Sequence, residues 1–187
     1  MSLPLKIIEK YYRPGSKAYR LLLEHGEAVK KKALEIAEKV SDLKPDIGFI
    51  KEASLLHDIG IIYTNSPLLG CYGREPYIAH GYLGRRLLEE EGLPLHGLVA
   101  ERHVGAGITE KDIKEKGLPL PLRDMIPMSL EEKIVCVADK FFSKNRDCHT
   151  VEKPLAVVIE EVSRYGKEKV EFFMSLLKEL RLIDGHS

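Results

Sequence analysis

The sequence predicts an all-α fold, a helical bundle. Apolar residues recur at steps of three and four along most of the chain, as on amphipathic helices. No stretch alternates apolar and polar residues over a length useful for a strand. A chain of 187 residues is long enough for one sizeable core and short for two. We therefore expect one domain over residues 1–187, with a core at about 20–145 and C-terminal helices at about 153–182 packed on it.

The first predicted helix covers about residues 17–40, where Leu22, Val29 and Ile36 belong to one apolar stripe. The segment "SDLKPD" ends it. A second helix, at about 46–59, is apolar on more of its circumference, and a glycine follows as a stop signal. Further helices are predicted at about 76–91, at 95–104, from Thr109 with Asp112 as its capping partner, from Ser129 with Glu132 as its capping partner, and in two pieces separated near Gly166.

The composition argues against several classes of protein. Lys and Arg number 29 and Asp and Glu number 29, so the net charge is zero and the chain lacks the basic character of a nucleic-acid binder. We find neither a signal peptide nor an apolar run of the roughly 20 residues that cross a bilayer. Three scattered cysteines indicate reduced thiols rather than disulfides. We expect a cytoplasmic protein without nucleic-acid or membrane partners, with homo-oligomers possible.

Four histidines lie in or at the ends of predicted helices, in line with apolar residues: His25, His57, His80 and His103. A single histidine in such a place is more often a hydrogen-bonded core residue than a ligand. Four together favour a shared function. The other three, His96, His149 and His186, fall in predicted loops or the tail and are expected not to be ligands.

The spacing of these histidines and two aspartates matches the repeat of the helices. The separations are 32 residues from His25 to His57, 22 from Asp58 to His80, 23 from His80 to His103 and 36 from His103 to Asp139. Each gap is about one helix and its return loop, so the six side chains could converge in the interior of a bundle. Burying them without partners would be costly, and a cation would remove that cost.

The dipeptide "HD" at 57–58, inside "LLHDI", and the later "VADK" resemble the HD-domain superfamily of metal-dependent phosphohydrolases over about residues 20–145. This resemblance implies a helical HD domain with a buried metal site. It assigns metal binding to His25, His57, Asp58 and Asp139. Members with two further histidines between the pair and the last aspartate typically hold two metals, and His80 and His103 occupy those places.

The nearest pattern in the superfamily belongs to the small bacterial enzymes that cleave diadenosine tetraphosphate symmetrically. They share "LLHDI" and "EKI..VAD" with this chain. The segments "VGAGIT" and "KFFSKNR" depart from their usual sequence. The substrate is therefore not carried over, and a phosphomonoesterase, a phosphodiesterase and a dinucleoside polyphosphatase all stay open.

The predicted chemistry is hydrolysis by a metal-activated hydroxide. Four neutral imidazoles and two carboxylates carry about −2 against about +4 from two divalent ions, so the centre attracts anions such as phosphate. We assign His57 and Asp58 to the catalytic centre, with Asp58 bridging the ions. The mixed ligands suit iron, manganese, cobalt, nickel or zinc. We expect a small phosphorylated substrate, most readily a nucleotide.

Five basic residues are candidates for holding a phosphate: Arg74, Arg102, Lys140, Lys144 and Arg146. For each of them the alternative is an ordinary solvated charge on the surface. Two other functions also fit the ligand set. One is a di-iron centre that activates oxygen, and the other is a metal-stabilised binding or signalling module without catalysis.

Overall fold

Helices account for most of the part of the chain that the structure describes, residues 2–143 and 150–184 of a computed structural model. In chain order the α-helices are α1 (Leu3–Tyr11), α2 (Lys17–Lys39), α3 (Ile47–Leu56), α4 (His80–Glu90), α5 (Pro94–Arg102), α6 (Glu110–Lys116), α7 (Leu130–Lys140), α8 (Leu155–Ser163) and α9 (Lys167–Glu179). Two strands of two residues each, β1 (Asn65–Ser66) and β2 (Cys71–Tyr72), pair antiparallel, with Asn65 opposite Tyr72. The all-α prediction is confirmed.

The long helix α2 begins where Ser16 caps it, with the Ser16 hydroxyl accepting a hydrogen bond from the Tyr19 N–H. Its buried stripe includes Leu22, Val29 and Ile36, as the spacing predicts. This stripe packs against α3 and α7. Since His25 belongs to the same stripe, the helix carries an imidazole into the interior.

Helix α7 lies at the centre of the bundle, in contact with α2, α3, α5 and α9. Five consecutive positions from Ile134 to Ala138 are fully buried, so the middle of this helix is buried on nearly its whole circumference. Asp139, near its end, is buried as well. A carboxylate at this depth needs a partner.

The C-terminal helices share the main core. Val158 and Val162 of α8 and Phe173 and Leu177 of α9 are buried in one apolar cluster with Val29 of α2. This shared core supports the proposal that the chain forms one domain with its C-terminal helices packed on it.

Three local features differ from expectation. Helix α1 has no counterpart in the predicted set, although its Ile7 and Ile8 are buried. His96, expected in a loop although the helix predicted at about 95–104 includes it, lies in α5, with its ring 4.6 Å from that of Phe49 and its Nε2 3.3 Å from a Glu52 oxygen. Helix α3 ends at Leu56, and Gly60 falls inside the 3-10 segment Ile59–Tyr63, where it is not a left-handed stop. Tertiary structure explains the glycine instead, because the backbone at position 60 closely approaches α4.

Among the described residues, none of the helices combines the length and apolar character needed to cross a bilayer.

Candidate metal centre

The structure brings the six predicted ligand side chains together. They come from the middle of α2 (His25), the end of α3 (His57 and the following Asp58), the first residue of α4 (His80), the end of α5 (His103) and the last turn of α7 (Asp139). All six are at most 5% exposed. Within this cluster, ligand atoms fall into two groups that share Asp58, each spanning less than 4.8 Å.

Asp58 faces both groups with different oxygens. Its Oδ1 lies 3.4 Å from His80 Nε2 and 3.3 Å from His103 Nε2. Its Oδ2 lies 3.4 Å from the Nε2 atoms of both His25 and His57. One carboxylate therefore stands between two pairs of imidazoles, which is the arrangement that a bridging ligand requires.

Asp139 lies beside the pair formed by His25 and His57. Its Oδ1 is 3.0 Å from His25 Nε2 and 3.5 Å from His57 Nε2. His25, His57, Asp58 and Asp139 thus offer four ligand atoms to one position, whereas Asp58, His80 and His103 offer three to the other. The fewer ligands at the second position leave room there for water or substrate.

The backbone fixes the orientation of three imidazoles. The Nδ1–H groups of His57, His80 and His103 donate to carbonyl oxygens three residues earlier in the chain, each at 2.7 Å. A carbonyl oxygen can only accept, so the proton of each neutral ring sits on Nδ1. The Nε2 lone pairs then point into the cluster, as in histidines that bind metals.

These lone pairs create an electrostatic conflict that a cation resolves. The Nε2 atoms of His80 and His103 lie 3.2 Å apart, and both are acceptors when Nδ1 carries the proton. His57 Nε2 is buried, and the structure gives it no hydrogen-bond partner among the described residues. Acceptors facing acceptors and carboxylates in a buried space are costly. The residues present therefore fit divalent cations.

The pKa values of two cluster histidines are shifted in opposite directions. Burial opposes protonation of His57, but the Asp58 and Asp139 carboxylates outweigh it and raise the pKa of His57 to about 9. At His103 burial dominates and lowers the pKa to about 4. The pocket around His57 thus favours a positive charge, which either a proton or a metal ion could supply.

Two residues hold the turn that follows Asp58. The Tyr12 hydroxyl, 2% exposed, donates to the Ile59 carbonyl and accepts from the Ile62 N–H, both at 2.8 Å. A β-carbon at Gly60 would come within 2.1 Å of the His80 carbonyl oxygen. Both contacts link distant parts of the chain, so no local sequence signal identifies them.

A cavity of about 450 Å³ opens beside the cluster. His80, His103, Asp139 and Lys140 form its metal end, and Tyr77 stacks on the His80 ring at 4.6 Å between centroids. The sequence does not single out three lysines that also line this cavity: Lys116, Lys153 and Lys169. Its volume is that of a small-molecule site.

The predicted phosphate-binding residues have different surroundings. Lys140 lines the cavity, and its Nζ is 2.6 Å from Asp139 Oδ2. Arg102 is bound by both Glu132 oxygens, at 2.9 and 3.0 Å. Arg74 lines a separate cavity that includes none of the six cluster residues. Lys144 and Arg146, with His149 and His186, lie outside the described residues.

Comparisons with known proteins place this cluster in a family. The chain is 38% identical over 121 residues to an uncharacterized protein of Methanocaldococcus jannaschii, covering 63% of this chain and 64% of that protein. It is 33% identical over 127 residues to a tRNA (cytidine(56)-2'-O)-methyltransferase of Picrophilus torridus. It is 30% identical over 140 residues to the enzyme of the same name from Thermoplasma volcanium.

The two methyltransferases are matched over 67% and 74% of this chain, but over only 33% and 36% of their own lengths. No solved structure matches the chain significantly. Residues 22–143, which include all six cluster residues, match the HD domain. The chain therefore belongs to the HD domain family.

Proposed function

We propose that this protein is a metal-dependent phosphohydrolase with two divalent ions at its centre. The observation that carries the proposal is the position of Asp58, whose two oxygens face different pairs of imidazoles at 3.3 to 3.4 Å. In this proposal, His25, His57 and Asp139 with Asp58 Oδ2 hold one ion. His80 and His103 with Asp58 Oδ1 hold the other.

The ions would supply the charge that polarises a phosphoryl oxygen and acidifies an attacking water. The chain would supply the rest. Asp58 would hold the two metal positions next to each other. Lys140, which lies beside Asp139, would bring a positive charge to the metal end of the cavity. Imidazole and carboxylate ligands suit iron, manganese, cobalt, nickel or zinc.

A small phosphorylated substrate, such as a nucleotide, fits this site better than a polymer. The cavity has the volume of a small-molecule site, and the ligand atoms lie at its buried end. The resemblance to symmetrical diadenosine tetraphosphatases finds no support among the three relatives described above, none of which bears that name.

The name of the two methyltransferase relatives is not transferred to this chain. The aligned part is about a third of each of those proteins, so the activity in their name can reside elsewhere in them. A cluster of six metal-binding side chains is also typical of metal-assisted hydrolysis rather than of methyl transfer. We therefore keep the prediction that nucleic acid is not the substrate.

Elemental analysis of the purified protein, with phosphate release from mononucleotides, dinucleoside polyphosphates and cyclic nucleotides, tests the proposal. His57→Ala and Asp58→Ala should each abolish turnover and lower bound metal. His96→Ala, which changes a histidine outside the cluster, serves as the matched control and should retain both. Unchanged metal content in both ligand variants would refute the assignment. Oxygen consumption by the iron-loaded protein without phosphate release would favour a di-iron oxygenase instead.

A further inference from the structure

The cavity has a second side that does not belong to the family-matched residues. Residues 22–143 provide the metal end. Another part of the lining, here called the C-terminal wall, is formed by Lys153, Val158, Glu161, Val162, Tyr165 and Lys169. These residues lie before, in and after α8 and in the first turn of α9. Since none of these residues belongs to the metal cluster, the C-terminal wall is available to the part of a substrate that does not react.

The lysines around this wall are already paired with carboxylates. Lys153 Nζ lies 2.5 Å from Glu161 Oε2. Lys169 Nζ lies 2.5 Å from Asp112 Oδ2 and donates to the Gly107 carbonyl at 2.8 Å. Lys116 Nζ is 3.4 Å from the other oxygen of Asp112. A second phosphate at this end would therefore compete with Glu161 and Asp112 and meet their negative charge.

The same side is well suited to an uncharged group. Val158 and Val162 lie beneath the cavity surface and are almost completely buried, while the partly accessible Phe142 and Ile108 and the exposed Tyr165 also line the cavity. Glu161 stands beside this apolar surface with two acceptor oxygens. Apolar surface with a few acceptors is what a sugar and base require, because their faces are apolar and their edges carry O–H and N–H donors.

We propose that the C-terminal wall binds the uncharged leaving group of a phosphomonoester about the size of a nucleoside, with Glu161 accepting a hydrogen bond from it. This proposal rests on the phosphohydrolase function above and names its substrate class as nucleoside monophosphates. The oxygen of water forms a bond to phosphorus, the bond from phosphorus to the ester oxygen breaks, and that oxygen takes up a proton. The products are a nucleoside and inorganic phosphate.

Glu161→Gln is the informative substitution. It keeps the size of the side chain but removes the negative charge, which leaves Lys153 able to bind a second phosphate. Glu160→Gln is the matched control, because Glu160 lies on the same helix, is 72% exposed and pairs with Arg164. Hydrolysis of the mono- and triphosphates of the four ribonucleosides is measured for each protein, with p-nitrophenyl phosphate as a substrate whose leaving group is aromatic but has none of the O–H and N–H donors of a nucleoside.

For the best base, the unmodified protein should have a kcat/KM at least about tenfold higher with the monophosphate than with the triphosphate. Glu161→Gln should shift this ratio about tenfold towards the triphosphate, the effect of losing one charged contact. Glu160→Gln should not change it, and Glu160→Gln should hydrolyse p-nitrophenyl phosphate as fast as the unmodified protein. A preference of the unmodified protein for the triphosphate, or the same ratio in both variants, would overturn the proposal.

Calorimetric binding of the free nucleosides separates this proposal from the proposed function. Hydrolysis of p-nitrophenyl phosphate without nucleoside binding would overturn the proposal for the C-terminal wall and leave the phosphohydrolase. Nucleoside binding that Glu161→Gln weakens and Glu160→Gln does not, in a protein that hydrolyses none of the esters, would overturn the phosphohydrolase and support the wall as a nucleoside site.

Discussion

The backbone of Gly60 lies against His80, so that a β-carbon at position 60 would come within 2.1 Å of the His80 carbonyl oxygen. The same β-carbon would be 2.3 Å from the Gly84 nitrogen, which is also backbone and cannot rotate away. This approach sets the start of α4 against the turn after Asp58. The distance between the Asp58 and His80 ligand atoms therefore depends on a glycine.

Gly60→Ala should destabilise the protein by about 3 kcal/mol, since overpacking against backbone forces the two segments apart. It should also lower metal content, because His80 moves away from Asp58. Urea unfolding and elemental analysis measure both effects. Gly48→Ala, in the first turn of α3, meets only a side-chain oxygen of Asp46 at 3.3 Å and is the control. Equal stability of the two variants would show that the approach is not rigid.

Variants that each remove one ligand should distinguish the two metal positions. His103→Ala removes a ligand only from the group with three members, so the protein should keep about one ion of two. Asp58→Ala should remove both ions, because Asp58 belongs to both groups. The metal-to-protein ratio from elemental analysis checks this. Loss of both ions from His103→Ala, or retention of one ion in Asp58→Ala, would contradict the shared carboxylate.

Asp112 should make stability depend on pH in the acid range. Burial opposes its ionisation, but hydrogen bonds from Lys169 and from the Thr109 hydroxyl and N–H outweigh burial and hold its pKa well below the usual value. A carboxyl with a lowered pKa contributes stability above its unfolded pKa, and this stability is lost as the pH falls towards the folded pKa. Asp112→Asn should therefore cost about 2 kcal/mol at pH 7 and less at pH 3.

Urea unfolding of the native protein and Asp112→Asn at both pH values measures this difference. Glu115→Gln changes an exposed carboxylate on the same helix and should show no such dependence. A cost that is the same at pH 7 and at pH 3 would mean that the Asp112 carboxylate is not ionised in the way its partners imply.

Tyr12→Phe should lower the metal affinity, although Tyr12 is not one of the six candidate ligands. Removing the hydroxyl leaves the Ile62 N–H without its acceptor, which should cost about 1 to 3 kcal/mol of stability. Because the same hydroxyl holds the Ile59 carbonyl directly after Asp58, metal affinity should also fall. Titration with a metal-sensitive dye reports the affinity. Tyr19→Phe, whose hydroxyl binds Glu9 near the surface, should leave metal affinity unchanged.

Periodicity was sufficient to predict most of the helices and the meeting of the six side chains. His25 lies on a predictable stripe of α2, and the intervals between the other ligands equal a helix and its loop. The capping pair at Thr109 is also present as predicted, since Thr109 and Asp112 bond reciprocally. These features depend on the spacing of residues along the chain, so a sequence pattern can predict them.

Features that depend on distant contacts could not be predicted in this way. Ser129 caps α7 as expected, but the Glu132 side chain bonds to the Met128 N–H and to Arg102, 30 residues away, so that this predicted phosphate-binding residue is paired with a carboxylate. The pairing of Lys169 with Asp112 likewise joins segments 57 residues apart. The spacing of residues along the chain cannot reveal such partners.

The carbonyl oxygens of Ser54, Tyr77 and Ala100 hold three imidazoles in place through bonds that belong to the helix ends themselves. These bonds orient three of the six candidate ligands independently of any bound ion. First-row ions of similar radius meet the same nitrogens, so availability in the growth medium, rather than selection by the protein, should govern which element a preparation contains.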